Sequence, residues 1–167
     1  MIFKNFEIRK FRLSDIEQIV TLFYETVHSI NKKDYSQQQL DAWADSADRE
    51  TRQNVWKESL SSHISYIVQF NESIIGFADM SPEGYLDRVF THKDFQGQGI
   101  ASELLKALES EARSLRLRQV SVDASLTAKP FFEHHGYRSV QMQAVDRKGV
   151  ILHNFKMIKE LEWHVNS

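Results

Sequence analysis

The stretch "FQGQGIAS", residues 95–102, decides how this chain is read. It places Gly97 and Gly99 two apart, although the 167 residues include only 6 glycines. A strongly patterned segment follows. Ile100, Leu104, Leu105, Leu108 and Ala112 recur at three- and four-residue spacing, which predicts an amphipathic helix to about residue 115. Glu103, Lys106, Glu109 and Arg113 fall on its polar side. The start of a helix leaves backbone N–H groups without intrahelical partners and carries the positive end of the dipole. Glycines there let an anion reach those groups, because no Cβ holds it off. Strand, glycine loop and helix start make a phosphate cradle. The same glycines would also serve a plain strand-to-helix turn.

Two familiar phosphate loops are excluded. A P-loop ends in Gly-Lys-Ser/Thr, and here Gly99 is followed by Ile100. A dinucleotide-binding loop needs a third glycine or alanine where this chain has Ser102, and an acid about 20 residues on. Asp123 lies 24 residues past Gly99, in the wrong topology.

Outward from the loop, the N-terminal side opens with a short strand at "FEIRKF" (6–11). Ser14 and Asp15 can cap a helix over 14–30, whose apolar positions are Ile16, Ile19, Val20, Phe23 and Val27. Two polar helices follow at 36–46 and 47–62, with Leu40, Trp43, Val55, Trp56 and Leu60 as apolar positions. The pattern then switches to β-branched and aromatic runs at 63–70, 73–80 and 84–91, separated by the turns "FNES" and "SPEG". Beyond the glycine-led helix come a strand at 118–124 and a short helix at 127–135 that Gly136 stops. A hairpin, 137–145 and 150–161, turns over "DRKG". The fold class is α/β: a single mixed, mostly antiparallel central sheet flanked by helices, with residues 1–167 as one domain.

Composition narrows the function. With 21 basic and 23 acidic residues, the chain offers no basic footprint for nucleic acid. It has no cysteine, hence no disulfide, thiolate metal site or cysteine nucleophile. No apolar run approaches the ~20 residues that cross a bilayer. The opening "MIFKNFEIRKF" does not read as a signal peptide. The expectation is a cytoplasmic protein, with no membrane partner. His134 and His135 are adjacent, without a carboxylate at ligand spacing, so no metal is expected.

The stretch "VFTHKDFQGQGIASELLKALESEA" (89–112) resembles the signature of the GNAT superfamily, the general-control-type N-acetyltransferases. Their pattern is Gln/Arg-x-x-Gly-x-Gly/Ala after a strand, and here it reads Gln96, Gly97, Gln98, Gly99, Ile100, Ala101. "ASLTAKPFFEHHGYRSV" (124–140) is similar to the family's second segment, and the element order agrees. The resemblance implies the acyl-CoA N-acyltransferase fold and transfer of an acetyl group from acetyl-CoA to an amine of a small molecule or peptide, by a monomer or homodimer. It implies that the backbone of Val89, Phe90 and Thr91 pairs with the pantetheine arm. It implies that Gly97, Gln98, Gly99, Ile100, Ala101 and Ser102 bind the pyrophosphate, flanked by Gln96. Ser125 stands where the family has an asparagine, and can still bond a pantetheine amide. Phe132 stands where the family has a tyrosine that protonates the leaving thiolate. Phenylalanine cannot do so, and Phe131 and Phe132 become wall and core residues.

An attacking amine must be neutral, and free alkylamines titrate near ~10.4, so a general base or desolvation is needed. The family often places a glutamate on the strand before the loop. Tyr85 stands at that position here, and Asp87 is the nearest carboxylate on its face. Asp79 and Asp123 are alternatives. His28 reads as the polar side of the first helix, beside Tyr24 and Asn31. The resemblance also implies that the loop after that helix faces the acceptor, which marks "ETVHSINKKDYS" (25–36), with Tyr35 and Trp43, as an acceptor-side wall; the competing reading of each residue is a surface helix. The competing reading is a non-catalytic acyl-CoA-binding or sensor module on the same fold.

Overall fold

Periodicity three and four gives way to periodicity two where the runs above said it would. The computed structural model describes residues 5–162, so the first four residues of the opening segment and the last five of the chain lie outside it. In chain order come β1 (Phe6–Lys10), α1 (Ile16–Ile30), α2 (Gln37–Trp43), α3 (Arg49–Ser62), β2 (Ile64–Phe70), β3 (Ser73–Met80) and β4 (Tyr85–Thr91). Then follow α4 (Ile100–Ser114), β5 (Gln119–Ser125), α5 (Lys129–His134), β6 (Arg138–Arg147) and β7 (Val150–Glu160). The seven strands form one sheet in the order β1-β2-β3-β4-β5-β7-β6. Every pairing is antiparallel except β4 with β5.

Alternation along the central strands builds two cores. Val68, Ala78 and Met80 point to one face and pack with Leu104, Leu105 and Leu108 of α4. Ile67, Ile74 and Phe77 point to the other and pack with Ile19, Phe23 and Val27 of α1 and Trp56 and Leu60 of α3. Each fully buried leucine or phenylalanine contributes about 1.5–3 kcal/mol of transfer free energy. Helix α3 holds on through few residues: Trp56 and Leu60 are buried, while Val55, expected on the apolar face, is exposed. On α4 the expected polar residue Glu109 is instead buried, accepting from Tyr137 Oη at 2.8 Å and Lys159 Nζ at 2.9 Å. Those two partners lie just before β6 and in β7, elements whose approach the helix pattern alone does not reveal.

The seat of α4 depends on Gly76 in β3. A Cβ there would come within 2.6 Å of Ile100 Cγ2 and 3.4 Å of Phe90 O. Gly76 pairs with Thr91, the last residue of β4. The missing side chain therefore lets the first turn of α4 press onto the sheet beside the end of β4. Gly76→Ala is expected to lower stability by about 1–3 kcal/mol through overpacking, read as the urea midpoint. An unchanged midpoint would mean that α4 shifts freely.

Candidate functional site

Two parallel pairs join β4 to β5: Tyr85 with Ser121, and Leu86 with Val122. Beyond them β4 continues to Thr91 and β5 to Ser125 without pairing to each other. Each strand keeps its other neighbour, β3 or β7. The gap is a cleft of about 820 Å³. Its β4 wall includes Tyr85, Asp87, Val89, Phe90 and Thr91, and its β5 side includes Asp123 and Ser125. Phe131 and Phe132 of α5 line it, as do Tyr35, Trp43 and Arg52 from the helical side.

One end of the cleft meets the glycine loop. Gly97 has φ +73° and Gly99, the residue that caps α4, has φ +83°. Both angles favour glycine, so the turn itself requires the two residues, whatever they bind. Around Gly97 a Cβ would meet nothing within 4 Å, so the loop faces open space. Gln96 Nε2 donates to Thr91 O at 2.8 Å, which ties the loop to β4. Gln96 and Ala101, on either side of the glycines, line the cleft. Ile100 is buried in the core, which leaves only its backbone N–H for a ligand. Ser102 Oγ lies 3.0 Å from His135 Nε2, while His135 Nδ1 donates to Phe131 O at 2.9 Å. That tautomer makes Nε2 the acceptor and the serine the donor.

Hydroxyl groups converge along the gap. Ser125 Oγ accepts from Ala128 N–H at 3.1 Å and keeps its own proton to donate. Thr91 Oγ1 and Thr127 Oγ1 are buried with no hydrogen-bond partner among the described residues. Both residues line the cleft. A buried polar group left unpaired costs about 1–3 kcal/mol, so two of them in one cleft mark where a polar ligand would bond. Phe132 is almost fully buried, edge-on to Tyr137 at 5.2 Å between ring centroids, and forms wall and core at once.

The other end is charged. Tyr85 Oη donates to Asp123 Oδ2 at 2.9 Å, and Gln143 Nε2 donates to Asp123 Oδ1 at 2.9 Å. Burial, reinforced by Asp123 and Asp87, holds the Tyr85 hydroxyl far above the ordinary phenol range. Asp87 stays partly open, with 36% of its side chain exposed, and lies 3.2 Å from Arg88 Nη2. Asp79, an alternative base on sequence grounds, is fully buried. Arg88 Nε and Nη2 donate to its two oxygens at 2.8 and 2.6 Å, and His63 Nδ1 stands 2.7 Å from Oδ2. Its oxygens are committed to the interior.

His63, Asp79 and Asp87 each bring a ligand atom within 4.8 Å of the others, a geometry a metal could use. The Arg88 guanidinium already sits among them and supplies the positive charge. The sequence gives no sign of this trio, since its members come from three separate strands or strand ends. Arg88 also stacks 4.6 Å over Trp56 and donates to Ser59 Oγ at 2.8 Å. Sequence reasoning passed over Arg88 and Arg52, which no motif marks, and over Thr127, which sits inside the 124–140 stretch without being singled out.

Tyr24 and Asn31, read as polar-side residues of α1, are buried. The segment after α2 folds over that side: Tyr24 Oη donates to Asp45 O at 2.7 Å and His28 Nε2 to Ala44 O at 2.9 Å. Tyr35 bridges the far wall, donating to His153 O at 2.7 Å and accepting from Leu126 N–H at 2.9 Å.

Comparison with known proteins adds the following. A family model described as an acetyltransferase (GNAT) domain matches residues 31–159. The N-acetyltransferase YafP of Escherichia coli (strain K12) is 34% identical over 154 residues, 92% of this chain and 95% of that protein. A GCN5-related N-acetyltransferase from Rhodopseudomonas palustris superposes with TM-score 0.88 at 28% identity, covering 96% of this chain and 99% of that one. The structure of yncA from Salmonella typhimurium with its cofactor acetyl-CoA superposes with TM-score 0.68 at 18% identity, covering 98% of each chain.

The Tyr85–Asp123 contact makes a spectroscopic prediction. A phenol ordinarily ionises near ~10. With the folded pKa raised, the proton on Tyr85 stabilises the fold below that pH, and the contribution is lost only as pH climbs beyond it. In an ultraviolet titration of the folded protein, Tyr85→Phe should remove no phenolate signal at or below about pH 10. A missing tyrosinate in that range would mean that the hydroxyl is free of Asp123.

Proposed function

This chain belongs to the GNAT acetyltransferase family, and on that premise we propose that it transfers the acetyl group of acetyl-CoA to a primary amine of a small molecule or peptide. We take residues 1–167 as one such domain, working in the cytoplasm. The observation that carries the reading is the cleft between β4 and β5, with a glycine-capped helix start at one end and an accessible carboxylate at the other. The acetyl-CoA bound to the Salmonella neighbour supports the choice of donor.

The residues present fit that donor. The free edge of Val89, Phe90 and Thr91 would take a pantetheine arm by strand-like pairing. The glycine loop and the first turn of α4, together Gly97 to Ser102, would take the pyrophosphate on backbone N–H groups. Ser125 and the unpaired hydroxyls of Thr91 and Thr127 offer bonds to the pantetheine amides. Acetyl-CoA, when bound, supplies a thioester carbonyl that a neutral amine converts to an amide with release of the thiol.

The chain's own work is to hold and deprotonate the acceptor. Asp87 is the base: it lines the cleft, is partly open, and its ionised form is kept company by Arg88. Tyr85 keeps its proton, which Asp123 engages, so its oxygen lone pairs remain to accept from an acceptor N–H. Phe132 supplies no acid, and a thiol with an ordinary pKa of ~8.5 departs without one.

Two variants test this reading. Asp87→Asn is expected to lower kcat about 100-fold or more, the contribution of a general base, in an assay of thiol release over an amine panel. Its affinity for acetyl-CoA, measured by calorimetry, should stay close to that of the parent. Undiminished turnover would place the base elsewhere. Gly99→Val should weaken acetyl-CoA binding by crowding the helix start. It also strains a left-handed residue by about 1–2 kcal/mol, so thermal unfolding is measured alongside. Equal affinities would remove the loop from the donor site.

A further inference from the structure

We propose that the acceptor is an amino acid: an amine carrying a carboxylate, which Arg52 binds, beside an apolar side chain held by aromatic walls. The inference rests on the acetyltransferase reading above and adds the class of acceptor. Arg52, Arg88, Arg147 and Lys148 are the arginines and lysines lining the cleft. Arg88 is matched by Asp79 and Asp87. Lys148 is matched by Asp45 and Asp48, both at 2.7 Å.

Arg52 has no carboxylate partner among the described residues. Its hydrogen bonds go to neutral oxygens, Nε to Tyr24 Oη at 3.1 Å and Nη2 to Trp43 O at 3.2 Å. Its guanidinium is nonetheless held in place, 4.8 Å from the ring centre of Phe23, 5.4 Å from Tyr24 and 5.8 Å from Trp56. It is half-buried. A stacked, preorganised guanidinium with donors to spare matches a planar carboxylate. Asp45 acts on Arg52 only from beyond ion-pair distance, so a bound carboxylate would give a partly desolvated cation a direct partner.

Position separates this site from the donor's phosphates. Trp56 carries Arg52 on one contact and Arg88 on another, and Arg88 is next in chain to Asp87. Arg52 therefore belongs to the Asp87 end of the cleft. The glycine loop springs from the opposite end, after Thr91. Phe23 and Trp43 line the helical side of the cleft, and Phe90 of β4 meets both rings, at 5.3 and 6.5 Å between centroids, where an apolar side chain would lie. With its carboxylate on Arg52, such an acceptor can turn its amine toward Asp87. Arg147, the last residue of β6, also has no ion pair among the described residues and lies near Tyr85. It is the internal comparison.

The test uses amino acids paired with their decarboxylated amines, beginning with phenylalanine and 2-phenylethylamine, in acetyl-CoA-dependent thiol release. The readout is the ratio of kcat/KM within each pair. The parent should favour the amino acid about 10- to 100-fold, the range of a hydrogen-bonded charge. The ratio should collapse toward one in Arg52→Gln, recover in part in Arg52→Lys, and survive in Arg147→Gln. A parent ratio near one, or turnover of the decarboxylated amines alone, overturns the acceptor class. A ratio that survives Arg52→Gln, or collapses in Arg147→Gln instead, overturns the assignment to Arg52. All these outcomes leave the acetyltransferase reading standing. Absence of thiol release with every amine would overturn that reading and this inference together.

Discussion

Two residue pairs are all that bind β4 to β5, and the cleft exists because the pairing stops there. A strand that loses its neighbour leaves N–H and C=O groups in need of partners. Here the loss is stable because each strand is fixed from its other side. β4 pairs with β3 as far as Thr91, and β5 pairs with β7 from Gln119 to Ser125. The gap is held open by two intact half-sheets. Gly76 adds to this by seating α4 against the end of β4, which brings the helix start to the mouth of the gap.

The charged end depends on Arg88. A buried ion pair recovers its desolvation only when geometry and further hydrogen bonds are good. Arg88 meets that condition, with two bonds to Asp79, one to Ser59 and a stack on Trp56. Ser59 and Trp56 belong to α3, a helix with only two buried residues. The same arginine thus pins a weakly amphipathic helix to the sheet and sets a cation beside Asp87. Removal of Arg88 would leave Asp79 buried without its two strongest bonds.

The cleft is closed over by elements remote in sequence. Lys148, on the β6–β7 turn, reaches Asp45 and Asp48 ahead of α3. Tyr35 ties the end of β5 to β7. Helix α2 begins with a capping box, Ser36 Oγ accepting from Gln39 N–H while Gln39 Oε1 accepts from Ser36 N–H. Gln39 Nε2 then donates to Ile151 O, so a local cap also docks the helix on β7. These contacts frame the acceptor end, while the donor end is made by one loop and one helix start.

The sequence alone determined the elements and the loop. Apolar spacing placed the long helices and the strands nearly to their ends, because alternation and helical periodicity are local and each has one burial solution. It determined the helix start after Gly97 and Gly99, because positive φ and close approach both select glycine. It also carried the resemblance to the acetyltransferases. Only the tertiary structure decided where β4 and β5 part, because a register is a relation between two strands and no single strand encodes it. Only it decided that Glu109, Tyr24 and Asn31 are buried, since what covers them comes from elsewhere in the chain. The charge pattern of the cleft is of the same kind. Asp79, Asp87, Arg52 and Arg88 look alike as surface charges in the sequence, and their difference is which neighbour each one touches: two carboxylates for Arg88, the Arg88 cation for Asp87, and for Arg52 rings and neutral oxygens, with Asp45 acting on it only from farther off.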